Sequence, residues 1–486
     1  MTPLPNPYDV PALLKEIEAN GMKLSEGGGQ VRQQCLAAAQ ALCYALETPM
    51  ESIIRTHWAE QAHHAALCTE NDLHLFDKWE EAGSGIKASS ELSELTGSDP
   101  SLLARILKHL AAMGTIYETG PDQYCPTPVS KALSMQVHRD GFPTSFDLAG
   151  PPVRKLHEYL AMTGYQNPQN TSIGPYQYGH QTPDDFWTMI SKRPEMSVAV
   201  DNSLAGRKSH RLTWMDHGFY PVEDNLAGGV SGEEEAVLLV DVGGGTGTNL
   251  QEFHGKYPGL HGQLILQDKP EVIKQATGLD QSIRTMAHDF FTEQPVKGAR
   301  AYYMSSVLHD WTDEQCAEIL ANLKFAMTPM YSKLLIHEFV IPDTGAHWIS
   351  TALDIMMMAV FSSRERREQD WRKILEGVGF RIIKIWTAEP GAESLIEAEL
   401  ATEIPEHTTH TLTEADGASE APDGIAQSGT EELVERRDVI AVESGMASII
   451  NADPSSHAPA IEASEPESES SPKTILLSGR PRLVVS

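Results

Sequence analysis

Val237 to Gly247 reads VLLVDVGGGTG, an apolar run of strand length that ends on an acid and breaks into a glycine-rich turn. The four residues Val237-Leu238-Leu239-Val240 lack the alternation of a half-exposed strand and fit one buried on both faces. Similar runs recur at Leu264-Ile265-Leu266, Ala301-Tyr302-Tyr303-Met304, Leu334-Leu335-Ile336 and Ile382-Ile383-Lys384-Ile385, with helical segments between most of them. Apolar strands alternating with helices predict an α/β fold whose parallel sheet is covered on both faces. Ser394 to Glu399 reads as a last strand, antiparallel to Arg381 to Trp386 across the turn at Pro390-Gly391.

The glycine turn carries the first chemistry. Gly243, Gly245 and Gly247 let the backbone bend at the carboxyl end of the first strand and let a ligand come close to it, with Asp241 just before them. Asp268 closes the second strand, 23 residues after Gly245, where a carboxylate can accept hydrogen bonds from ribose hydroxyls. Together they specify a nucleoside-containing cofactor. An NAD fingerprint has glycines at the first, third and sixth positions. Counted from Gly243, Gly247 is fifth and the sixth position is Thr248, so the loop favours S-adenosylmethionine over NAD. Asp289 and Phe290 follow His288 where a third strand should end, and are expected to meet the adenine amino group and ring respectively.

Tyr302 to Met327 reads YYMSSVLHDWTDEQCAEILANLKFAM. Thr312 and Gln315 form a capping-box pattern, and Cys316, Ile319, Leu320 and Leu323 supply one helix face. His309 therefore lies between a strand end and a helix start, on the edge where open α/β sheets bind ligands. Taken alone, a histidine there reads equally well as a capping or solvent-exposed residue.

Upstream, Leu102, Leu103, Ile106, Leu107, Leu110 and Met113 share the spacing of one helix face. Ile116 to Glu118 and Gln123 to Cys125 flank the turn formers Gly120-Pro121-Asp122, so helix plus hairpin suggests a winged helix. Its candidate recognition helix offers Arg105, Lys108 and His109, while the 486-residue chain carries a net charge of −31. That charge opposes nucleic acid and anionic membranes, and a packing or dimerising role is expected instead. Val31 to Leu46 reads as helical after a Pro-rich start, and residues 146 to 215 as helical and loop-rich with Tyr159, Tyr165, Tyr176, Phe186 and Trp187. The five scattered cysteines lack disulfide or metal spacing and are expected to be reduced and mostly buried, with no metal bound.

The opening MTPLPNPYDV has no basic stretch before an apolar core, and the run Ile355 to Phe361 is far short of a membrane span, so a cytoplasmic location is expected. Residues 401 to 486 hold 16 acidic and 5 basic residues without sustained periodicity and read as a disordered tail.

The combination VLLVDVGGGTG, ILQDKPEVI, HDFF, VLHDWTDEQC, IHEFVIPD and SRERREQDW resembles the plant caffeic-acid-type and fungal secondary-metabolite O-methyltransferases, over roughly Ile86 to Glu399. The resemblance implies a Rossmann-like class I methyltransferase sheet preceded by a winged-helix domain that dimerises and closes over the substrate. It implies His309 as general base, with Glu338 and Glu365 as the flanking acids and Gly243, Asp268, Asp289 and Phe290 as cofactor contacts. Many relatives carry a basic residue four before the histidine, and here that residue is Ser305. The expected organisation is an extension over 1–45, a winged-helix domain over 46–145, a helical connection over 146–225, the cofactor domain over 226–400 and the acidic tail over 401–486. The expected reaction is methylation of a hydroxyl on a small aromatic or polyketide-type metabolite by a homodimer. In such relatives Met356, Met357 and Met358 would face the acceptor, and ordinary helix core explains them equally well. Two other readings stay open: the same fold and cofactor used for a cyclisation or rearrangement, and a non-catalytic regulatory protein.

Overall fold

The computed structural model describes residues 9–25, 28–208, 212–227 and 236–401. The tail read as disordered lies outside these from residue 402 onward, as do the first eight residues. The helix Val10–Gly21 occupies part of the segment read as a Pro-rich start: Asp9 caps it by accepting from Ala12 N at 3.1 Å, and Pro11 sits in its first turn, where the missing N–H costs nothing. It packs beside the helix Gly28–Leu46.

The winged helix comprises the helices Leu75–Glu81, Ser89–Thr96 and Pro100–Ala112 with three short antiparallel strands: β1 (Lys87–Ala88), β2 (Ile116–Gly120) and β3 (Gln123–Pro126), in the order β1-β3-β2. Trp79, Leu92, Leu103, Leu107, Leu110, Ile116 and Tyr124 form its core. Leu102 departs from the helix face assigned by spacing: it is 47% exposed, because Leu103, Leu107 and Leu110 already fill the seam. Lys108 pairs with Glu118 at 2.5 Å and lies 3.6 Å from Asp122, so a cation of the candidate recognition helix is engaged by the wing itself.

The carboxyl-terminal half is built on β4 (Val237–Val242), β5 (Gln263–Asp268), β6 (Ile283–Ala287), β7 (Ala301–Ser305), β8 (Lys333–Glu338), β11 (Phe380–Thr387) and β12 (Ser394–Leu400), with a two-residue parallel pair of β9 (Val340–Ile341) and β10 (Arg366–Arg367) beside it. The seven strands run in the order β11-β12-β8-β7-β4-β5-β6. β12 is antiparallel to both β8 and β11, while the other pairings are parallel, as the apolar runs require. Val240, Ile265, Tyr302, Met304, Leu334 and Ile336 pack one face onto the helices Asp313–Lys324 and Glu368–Val378. Leu239, Leu264, Leu266, Tyr303 and Leu335 turn the other way, onto Leu250 and Phe253 of the helix Thr248–Lys256 and onto Trp214. The period of two along each strand thus splits the apolar runs between two cores.

Between the halves, Tyr176, Phe186, Met189, Ile190 and Val200 share a cluster with Val360 of the helix Trp348–Phe361. Of the three consecutive methionines in that helix, Met357 is buried and Met356 packs against two clusters. All five cysteines are free of disulfides, but only Cys316 is buried and Cys43 is exposed. Cys35, Cys68 and Cys125 are half-buried, which overturns the expectation of mostly buried thiols: the helices and the wing strand that carry them keep one side toward solvent. Among the described residues no helix is long and apolar enough to cross a membrane.

Candidate active site

The strand order reverses between β4 and β7: from β4 the chain goes to β5 on one side, and from β7 to β8 on the other. A crevice opens at the carboxyl ends of two such strands. The loops after β4 and β7 do line one cavity of about 670 Å³, within the range of small-molecule sites.

Its floor is the glycine loop. Gly243 and Gly245 take φ of +74° and +61°, the left-handed region that favours glycine. A Cβ on Gly243 would stand 3.0 Å from Val307 Cγ2, so that residue brings the two loops together, while Gly245 faces open space. Gly247 starts the helix Thr248–Lys256, whose first residues Thr248 and Asn249 line the cavity and give it the positive end of the helix dipole. Asp241 is fully buried beneath the loop. Asp268 reaches into the wall from β5 and accepts from Gly245 N at 2.8 Å and Lys269 N at 2.7 Å. Burial raises its pKa, opposed by those two amide hydrogen bonds. Phe290 lines the same cavity. Asp289 is exposed and outside the lining, and its carboxylate accepts from Phe291 N at 3.0 Å.

His309 occupies the single 3₁₀ turn Leu308–Asp310 after β7 and is 5% exposed. It does not itself border the cavity; its neighbours Val307, Asp310 and Trp311 do. The structure brings both expected acids to it. His309 Nδ1 stands 2.7 Å from Glu365 Oε1 and 3.6 Å from Glu338 Oε2, while Nε2 is 3.5 Å from Asp310 Oδ1. Glu338 ends β8, and its Oε1 accepts from the amides of Val307 and Leu308 at 2.9 and 2.8 Å, tying the histidine turn to the neighbouring strand. Glu365 directly precedes β10, held there by its own amide donating to Asp354 Oδ1 at 2.9 Å.

Burial alone would lower the His309 pKa, but Glu338, then Glu365 and Asp310, outweigh it and push the imidazole up to about 10. Burial pushes Glu338 up to about 7, opposed chiefly by His309. The carboxylates therefore favour the imidazolium, and burial disfavours the ionised Glu338 beside it. The three ligand atoms lie within 4.8 Å of one another, the donor set of a metal site. Of these carboxylates, Glu365 Oε1 is engaged by the imidazole and Glu338 Oε1 by two amides, while the buried Glu365 Oε2 has no hydrogen-bond partner among the described residues.

Sequence reasoning passed over Arg366, although SRERREQDW contains it. Its guanidinium is fully buried, donates to Leu308 O at 3.0 Å and Trp311 O at 2.7 Å, pairs with Asp313 Oδ1 at 2.9 Å and lies 5.3 Å from the Trp371 ring centre. It brackets the His309 turn from below. Carbonyl partners leave no side-chain pattern in a sequence, so only the arginine's place beside Glu365 could have pointed to it. Ser305 borders the cavity, and its Oγ is 3.3 Å from His337 Nδ1. An imidazole thus stands behind the position where many relatives carry a basic side chain. Ser306, in the left-handed region at φ +51°, donates to Glu393 Oε1 at 2.9 Å.

An O-methyltransferase domain family matches residues 233–381. O-methyltransferase mfmE of Annulohypoxylon moriforme is 37% identical over 369 residues, 76% of this chain and 90% of that protein. Among solved structures, LepI in complex with SAM is 27% identical with a TM-score of 0.73, covering 80% of this chain and 98% of that one. A pericyclic reaction enzyme has the same identity and TM-score, covering 80% and 99%. With this relatedness, the seven-stranded sheet and a glycine-floored cavity at its reversal point, the chain belongs to the S-adenosylmethionine-dependent O-methyltransferases, in the family that includes the fungal secondary-metabolite enzymes.

Proposed function

We propose that this enzyme methylates a hydroxyl of a small aromatic or polyketide-type metabolite, with His309 as the base. The observation that carries the reading is the His309–Glu365 contact of 2.7 Å at a strand end beside the donor cavity. Gly243, Gly245, Asp268 and Phe290 would hold the cofactor, with Asp241 and Gly247 supporting the loop and Asp289 at the exposed edge beside Phe290. Bound there, S-adenosylmethionine supplies a methyl group already activated on a sulfonium.

The chain's own task is positioning and proton removal. Glu365 accepts from Nδ1, which fixes the tautomer and leaves Nε2, on the side of the cavity-lining Asp310, as the nitrogen to take the proton. A phenol with a pKa near 10 is then matched to an imidazole raised to about 10. The proton passes from the hydroxyl to Nε2 as the oxygen takes the methyl group. The positive charge that a bound cofactor would bring to the cavity would oppose the imidazolium and enlarge the fraction of free base at neutral pH. Trp187, Ile190 and Trp311 give the cavity an apolar end for the acceptor ring.

Incubation with labelled cofactor and a panel of phenols tests this. The wild type should yield products heavier by one methylene, and undiminished transfer by His309→Ala would remove the base assignment. One observation favours a second reading: an imidazole held protonated at neutral pH is equipped to donate a hydrogen bond during a cyclisation or rearrangement. Conversion of the native substrate without a mass change, and with cofactor unconsumed, would select it.

We further propose that the chain is a homodimer joined through its amino-terminal region, where Leu36, Tyr44, Leu46, Met50 and Trp58 are exposed. The proposed parts are a winged-helix unit over 46–145, a pocket-lining connection over 146–225 and a cofactor domain over 226–400. Light scattering on the full chain should give twice the monomer mass.

A further inference from the structure

The cavity has a roof as well as a floor. Pro194, Ser197, Val200, Asp201 and Leu204 of the helix Pro194–Lys208 line it at spacings of three and four, so one face of that helix covers the glycine loop. Asn202, the next residue along, points elsewhere and donates to Asp140 Oδ2 at 2.7 Å, which fixes the rotation of the helix. Asp201 is the charged member of the lining face.

Resting on the cofactor reading above, we propose that Asp201 is a second carboxylate for the cofactor's ribose, accepting a hydroxyl from the roof while Asp268 accepts from the floor. The two acids sense each other across the cavity: burial, and then the charge of Asp268, push Asp201 up to about 6. No hydrogen bond or ion pair reaches Asp201 among the described residues, whereas Asp268 is partly satisfied by two backbone amides. A partly buried carboxylate without donors is unfavourable, and a ligand presenting hydroxyls relieves it. A ribose offers two adjacent hydroxyls, one for each acid. The amino group of the cofactor's methionine portion is the competing donor.

Calorimetric titration of the full-length chain with S-adenosylhomocysteine and with 5′-methylthioadenosine separates the two, since the second keeps the ribose and lacks the amino-acid portion. Asp201→Ala should weaken both ligands roughly tenfold, the loss of one charge-assisted hydrogen bond. Asp201→Asn should recover part of the loss because its amide oxygen still accepts. Circular dichroism melting of both variants shows that the fold is kept. Equal affinities in wild type and variants overturn the proposal, as does weakening of S-adenosylhomocysteine alone, which moves the contact to the amino-acid end. Failure of the wild type to bind either ligand instead overturns the cofactor reading itself.

Discussion

The turn around His309 and the cavity beside it lie on the same sheet edge and are built by opposite rules. Around His309 the polar groups are bound inward: Glu338 takes two amides, Glu365 takes the imidazole and Arg366 takes two carbonyls and Asp313. In the cavity, Thr248 and Asn249 of the helix Thr248–Lys256 and the Asp201 carboxylate line open space, and no hydrogen bond reaches Asp201 among the described residues. A buried base must be over-determined to keep one orientation. A binding cavity must keep its polar groups for the ligand.

The contrast can be broken at four points. His309→Ala should cost the most, on the order of 10²- to 10⁴-fold in kcat, with cofactor affinity nearly unchanged because His309 is outside the cavity lining. A comparable loss of affinity, seen by titration with S-adenosylhomocysteine, would mean that base and cavity are one unit. Arg366→Leu removes the buried donor from the Leu308 and Trp311 carbonyls while Asp313 keeps Arg364, and should lower stability by about 1–3 kcal/mol in denaturant melts. Asp268→Ala belongs to the open region, so it should weaken cofactor binding roughly tenfold to a hundredfold while moving the melting temperature little.

The smallest effect concerns pH. The base works only when neutral, so kcat/KM should climb with pH toward the His309 value of about 10. Glu338 is the strongest carboxylate influence on that value, and the neutral amide of Glu338→Gln keeps an oxygen for the Val307 and Leu308 amides. The limb should therefore shift to lower pH in that variant, and an unshifted profile would detach Glu338 from the imidazole.

The two regions also differ in how far they can be read from sequence. The strands, their alternation with helices, the antiparallel last strand and the capping box at Thr312 and Gln315 are local patterns, and the structure shows each of them. The glycine loop and Asp268 are legible for the same reason: turn chemistry and strand ends are written in a few adjacent residues. That Glu338 and Glu365 stand beside His309 came only through a family resemblance, because they join it from 29 and 56 residues away. Arg366 escaped because it grips carbonyl oxygens, which every residue has. Asp201 escaped because the helix Pro194–Lys208 has no pronounced apolar stripe: Val200 on its inner face serves a core cluster and the cavity at once, and the rest of that face is largely polar.

Val307 presses toward Gly243 on the donor side, and His309 follows two residues later. The separation between the donor's wall and the imidazole is therefore a covalent length, one short stretch of backbone held at both amides by Glu338. Whatever acceptor the cavity takes, that ruler keeps its length.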